Sequence, residues 1–192
     1  MKQLMVDVLK DIWVSKIASD YSSGLITTER GLQAILFAHL YGLRKNWKAY
    51  VEPGIAYYEN GPARYKPDLV ICSSSNVLAI IEIKFVPHHY PHYKRDIDKL
   101  IEISTNPKCR EISLDIDPQT GYWAKNKHFI TRQTNFIFMV IGRHDSGACH
   151  IESINNHLSG KSIANPFWLF YGRVNPEGKQ GNIIFGIDRF RS

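Results

Sequence analysis

Ala79-Ile80-Ile81-Glu82-Ile83-Lys84-Phe85-Val86 reads as a buried strand that carries two charges where such a strand should carry none. With Val77 and Leu78 added and the run divided by parity, one face is Val77, Ala79, Ile81, Ile83 and Phe85, apolar throughout. The other is Leu78, Ile80, Glu82, Lys84 and Val86, apolar first and charged toward its end. A strand with one wet face alternates along its whole length. This pattern instead predicts a central strand, covered on both sides, that opens into a cleft at its far end. Side chains two residues apart share a face, so Glu82 and Lys84 project side by side. Such groups are costly to bury unless they are paired or bind a metal.

The stretch just upstream completes the idea. Tyr65-Lys66-Pro67-Asp68-Leu69-Val70-Ile71-Cys72 has Pro67 at its mouth, where a missing N–H is tolerated, and Asp68 on the same face as Val70 and Cys72. Ser73-Ser74-Ser75-Asn76 is a short connection rich in turn formers, which predicts an antiparallel hairpin. In a hairpin the start of the first strand lies beside the end of the second. Counting outward from the turn therefore brings Asp68 close to Glu82 and Lys84.

Two carboxylates offer the hard oxygen ligands that suit Mg²⁺ or Mn²⁺. A lysine beside them orients a metal-bound water and offsets charge building on a phosphate. At Pro67-Asp68 and Glu82-Ile83-Lys84 the chain resembles the PD-(D/E)xK nuclease superfamily, whose fold is that of restriction endonucleases. The plain alternative is an edge strand in which Glu82 and Lys84 pair with each other, with Asp68 merely starting a strand. Apolar residues on both faces argue against an edge.

The resemblance also implies an acidic residue on a helix ahead of the sheet. Leu32, Ile35, Leu36, His39 and Leu40 recur at helical spacing after Thr27 and Thr28, either of which serves as an N-cap, and Glu29 falls in the first turn. An acid there compensates the helix dipole in any helix; by resemblance it is a further metal ligand, direct or through water. Gln33, one turn on, faces the same cleft, either as a solvated polar residue or as a contact to substrate or water. Glu52 competes with Glu29 for the acidic role. It lies in Lys48–Tyr58, read as the first core strand interrupted by Pro53-Gly54, where a bulge would turn it inward; the plainer and favoured reading is an ordinary exposed strand residue.

Composition agrees with one soluble globular domain spanning residues 1–192. No apolar run approaches the roughly 20 residues of a membrane span. The N-terminal stretch carries Asp7 and Asp11 where a signal peptide needs an unbroken apolar core. Cys72, Cys109 and Cys149 are isolated, giving neither a disulfide framework nor a zinc site, and Cys72 reads as a small core residue. The expected setting is the reducing cytoplasm.

The net charge of +6 favours a polyanionic partner. Lys84, Lys94, Arg95 and Lys99 cluster after the charged strand, and Lys108, Arg110, Lys125, Lys127 and Arg132 follow. Tyr90, Tyr93, Tyr122 and Trp123 are interleaved with them, as suits stacking on bases; part of this set is the ordinary charged surface of any protein. His88, His89 and His92 do not make a zinc site, because Pro91 interrupts them and no cysteine lies nearby.

The remaining elements are scaffold. Leu4, Val8, Leu9, Ile12, Trp13 and Ile17 predict an amphipathic helix over 2–20. A crossover helix from Lys94 to Ile103 would bury Ile97, Leu100 and Ile101. The segment from Asn106 to Arg132, with a turn at 117–121, reads as an insertion holding a short hairpin. Phe136–Ile141 reads as an inner strand. Phe167–Tyr171 and Ile183–Ile187 read as closing strands, which either extend the sheet or form a dimer surface. The expected fold is α/β: an αβββαβ core over about residues 25–142, a central mixed sheet flanked by helices, an N-terminal helix, and extra strands in a C-terminal extension over about 143–192.

The resemblance thus implies a metal-dependent nuclease acting on DNA. Asp68, Glu82 and Glu29 would hold Mg²⁺, or Mn²⁺ in its place, Lys84 would position the attacking water, and Gln33, Lys94, Arg95 and Lys99 would contact the nucleic acid. Cleavage leaving a 5′-phosphate, and a place in restriction, defence or mobile-element processing, are implied by the same likeness. The same residues also fit an RNA nuclease, or a non-catalytic subunit that binds nucleic acid or assembles with a partner. Either enzyme could act as a homodimer.

Overall fold

The computed structural model describes residues 2–41, 43, 46–55, 65–87, 93–106, 111, 112, 114, 127–143, 154, 156–161, 163, 165–174 and 183–190. Among them, six strands form one mixed sheet in the order β1-β2-β3-β6-β7-β8. These are β1 (Lys48–Val51), β2 (Leu69–Cys72), β3 (Val77–Val86), β6 (Asn135–Arg143), β7 (Phe167–Val174) and β8 (Ile183–Phe190). A separate two-stranded ribbon, β4 (Glu111–Ile112) with β5 (His128–Phe129), is the hairpin expected within the insertion.

The β2–β3 hairpin is antiparallel, with Leu69 opposite Ile81 and Ile71 opposite Ala79. β3 then pairs β6 in parallel, and β6 pairs β7 in parallel, while β7 and β8 are antiparallel. A parallel pair needs a crossover, supplied between β3 and β6 by helix α4 (Lys94–Thr105). β6 lies mid-sheet and buries both faces, which explains its unbroken run Phe136–Ile141. The C-terminal strands extend the sheet.

Each face of the sheet has its own core. On one side Leu69, Ile71, Ala79, Ile81 and Ile83 pack against the N-terminal helices and α3 (Glu29–Leu40). On the other, Val70, Cys72 and Ile80 pack against Ile97, Leu100 and Ile103 of α4, with Ile154 and Leu158 beside them. From Ala79 onward the odd and even residues of β3 are divided between the two layers, as the sequence pattern requires, but Val77 joins the α4 layer and Leu78 the other, because the hairpin register shifts between Ile71 and Cys72.

Three helical details depart from the expected ones. The N-terminal helix runs as α1 (Lys2–Asp11) and α2 (Ala18–Ser22), joined by a π-helical segment, Ile12–Ile17. That segment sets Trp13 wholly inside the core, its ring edge-on to Phe170 and Phe185 and its Nε1–H donating to the Tyr171 carbonyl at 3.2 Å. In α4 the third fully buried position is Ile103, with Ile101 only partly covered, because the stripe drifts with the 3.6-residue turn. In α3, His39 leaves the apolar stripe and bonds Asp20 of α2 at 2.6 Å, fastening the two helices together.

The first core strand is interrupted, as its sequence predicts, but one residue earlier than Pro53: β1 ends at Val51, Glu52 takes φ +45°, the left-handed region that L side chains rarely adopt, and Ile55 pairs again opposite Tyr65. Residues 56–58 of that stretch lie outside the described residues. No helix among the described residues is long and apolar enough to cross a membrane.

Candidate active site

β2 begins at Leu69, opposite Ile81, but β3 continues five residues further, to Val86. Beyond Ile81 the β2 side of β3 therefore has no paired strand among the described residues. The amides of Ile83 and Phe85 point to that bare side. Two carboxylates take them. Asp68 Oδ2 accepts the Ile83 N–H at 2.6 Å, and Glu29 Oε2 accepts the Phe85 N–H at 3.3 Å.

Local chemistry aims each acid. Thr28 caps α3, its hydroxyl accepting from the Gly31 N–H at 3.0 Å, so the helix starts at Glu29 and delivers its first side chain to β3. Asp68 is held from behind: its carbonyl accepts Gln33 Nε2 at 2.8 Å and the Glu52 N–H at 2.9 Å. Gln33 is buried, only 7 % exposed, so it meets the cluster through the Asp68 backbone. The Glu52 carboxylate turns away to Lys66 at 2.9 Å, and of the two competing acids it is Glu29 that reaches the cleft.

Glu82 points to the α4 face and is 6 % exposed. Its side chain is hydrogen-bonded to Asp68. Burial, then the Asp68 charge, pushes the Glu82 carboxyl up to about 8. Burial also raises Asp68, partly offset by the Ile83 N–H. Two buried acids in contact disfavour each other's ionisation, so the pair holds a proton to higher pH than either acid would alone.

Cations approach from two elements. Lys84 Nζ lies 3.8 Å from Glu29 Oε2 and 3.4 Å from Asp96 Oδ2, so it pairs with both helices and not with Glu82. Lys99 Nζ donates to Asp96 Oδ1 at 3.0 Å and stands 3.9 Å from Glu82 Oε1. Burial works against the Lys99 charge, but the bond to Asp96 and the charges of Glu82 and Asp96 outweigh it and raise its pKa. Lys94 and Arg95 stand exposed at the start of α4.

Asp68, Glu82, Lys84, Glu29 and Lys99 thus meet in one cluster, with Gln33 beneath it. Asp96 is a further member that the sequence reading missed. Its signal was the i, i+3 spacing to Lys99, indistinguishable in sequence from an ordinary surface pair on an amphipathic helix. The histidines at 88–92, the turn at 117–121 and the basic and aromatic residues at 108, 110, 122, 123 and 125 lie outside the described residues.

Among the described residues no three His, Cys, Asp or Glu side chains converge as the ligands of one ion. Mg²⁺ keeps several waters and is commonly held by one or two carboxylates, which the contacting pair Asp68 and Glu82 supplies. No family model matches the chain, and no curated protein or solved structure matches it either.

Proposed function

We propose that the protein is a metal-dependent nuclease of the PD-(D/E)xK type, hydrolysing phosphodiester bonds in DNA. The observation that carries this reading is the contact between Asp68 and Glu82 at the open end of a central strand, with Lys84 and Lys99 beside them. Asp68 and Glu82 would hold Mg²⁺, with Glu29 in reserve as a further ligand through water. When bound, the ion supplies Lewis acidity toward a phosphate oxygen and lowers the pKa of a water.

The chain's own residues do the rest. Glu82, whose ionisation burial beside Asp68 disfavours, would release its proton to solvent if it served as a ligand. Lys84, held from two sides by Glu29 and Asp96, orients the attacking water and stabilises negative charge gathering on the phosphate. Lys99 adds positive charge on the opposite flank of Glu82. Lys94 and Arg95 take phosphates of the flanking strand, and Gln33 fixes the position of Asp68.

The test is incubation of the purified protein with supercoiled plasmid and single-stranded DNA, in Mg²⁺, Mn²⁺ or EDTA, beside Asp68→Asn and Lys84→Met. Cleavage that needs metal and falls at least about a hundredfold in both variants is expected. Equal cleavage by all three proteins would sink the assignment. Matched RNA in the same assay decides between DNA and RNA.

A further inference from the structure

Beside the carboxylate cluster lies a groove of about 660 Å³, lined by Tyr21, Ile26, Thr27, Glu29, Phe85 and Pro87 among others. Its size is that of a small-ligand site. Its walls differ in kind from the cluster. Tyr21 and Phe85 stand edge to face with ring centroids 6.0 Å apart, both partly exposed, and Ile26 is buried among them. The groove is continuous with the candidate active site through two residues. Glu29 lines it and also contacts Lys84, while Phe85 lines it with its side chain and bonds Glu29 with its amide.

We propose that this groove holds one unstacked nucleobase next to the scissile phosphate, so that the substrate at this point is a single strand. The proposal rests on the nuclease reading of the adjoining cluster. A phosphate drawn to Lys84 leaves its neighbouring base over the groove, where an apolar wall with aromatic rings receives a flat face regardless of sequence. Glu29 is the sole charged residue lining the groove among the described residues, so the wall they form is chiefly apolar and aromatic. In a continuous duplex the base is already stacked and does not reach such a wall.

The experiment compares binding of a fluorescent oligothymidylate, its fully abasic equivalent, its RNA counterpart oligouridylate, and the oligothymidylate annealed to its complement. Ca²⁺ replaces Mg²⁺ throughout. The oligothymidylate should bind at least about fivefold more tightly than the abasic strand or the duplex. Thr27→Trp, at an exposed position on the groove wall, should abolish that preference; Tyr21→Leu should reduce it, and Thr27→Ser should keep it. An abasic strand or duplex bound as tightly as the oligothymidylate overturns the proposal, as does a Thr27→Trp protein with the full preference or a wild type that binds neither strand. Equal affinity for oligouridylate would extend the groove's ligand to RNA and leave the single-strand assignment standing. Base-dependent binding without metal-dependent cleavage would leave the groove in place and remove the nuclease reading. Cleavage lost in Asp68→Asn but unaltered, with unaltered binding, in Thr27→Trp would remove the groove alone.

Discussion

Asp96 stands between Lys84 and Lys99, offering Oδ2 to the first at 3.4 Å and Oδ1 to the second at 3.0 Å. One carboxylate therefore sets the positions of two cations that arrive from different layers of the fold. Asp96→Asn keeps the shape and loses the charge. It should lower kcat about tenfold or more while KM stays near its wild-type value, as expected of a group that positions others. Steady-state cleavage by the variant checks this, and a rise in KM alone would contradict it.

The shared proton of Asp68 and Glu82 ties stability to pH. Glu82 has a folded pKa of about 8 against an ordinary 4.5, so the folded state binds its proton more tightly than the unfolded chain does. This contribution to stability is complete below 4.5, declines as pH rises and is lost above about 8. Urea midpoints should fall as pH rises from 4.5 to about 8, and Glu82→Gln should flatten that slope. Mg²⁺ should raise the midpoint more at the higher pH, since its ligands must first be deprotonated.

Gln33 connects α3 to the backbone of Asp68 and is buried there. Gln33→Leu fills the same space without the hydrogen bond. Stability should fall by about 1 kcal/mol, and kcat by about tenfold as Asp68 loses its fixed position. Urea unfolding and cleavage kinetics on one preparation separate the two effects.

Trp13 is the largest side chain in the core and holds the N-terminal helices against β7 and β8. Trp13→Ala should cost about 3–5 kcal/mol, enough to unfold a marginal domain. Thermal unfolding by circular dichroism would show it as a large drop in Tm.

The hairpin was legible because from Ala79 onward β3 divides its two parities between two covered layers, which fixes its register against β2 there; the shift that turns Val77 and Leu78 over lies in the backbone and was not. That register also made the meeting of Asp68 with Glu82 legible. Contacts from elements distant in sequence were not. Asp96 looks like any surface acid on α4, and the Gln33 bond depends on how α3 lies across the sheet. The early stop of β1 depends on the backbone of Glu52, whose positive φ no side-chain preference announces. The π-helical segment was hidden for a similar reason, since its apolar residues suit an ordinary helix equally well.

The carboxylates of Asp68 and Glu29 have a second consequence. By capping the Ile83 and Phe85 amides they close a stretch of sheet edge that would otherwise accept a strand from another molecule. Aggregation resistance and the proposed metal ligation therefore depend on the same carboxylates. Alanine at either position would remove a proposed ligand and uncover a sticky edge at once, whereas the amide isosteres Asn and Gln keep an oxygen in place to guard it.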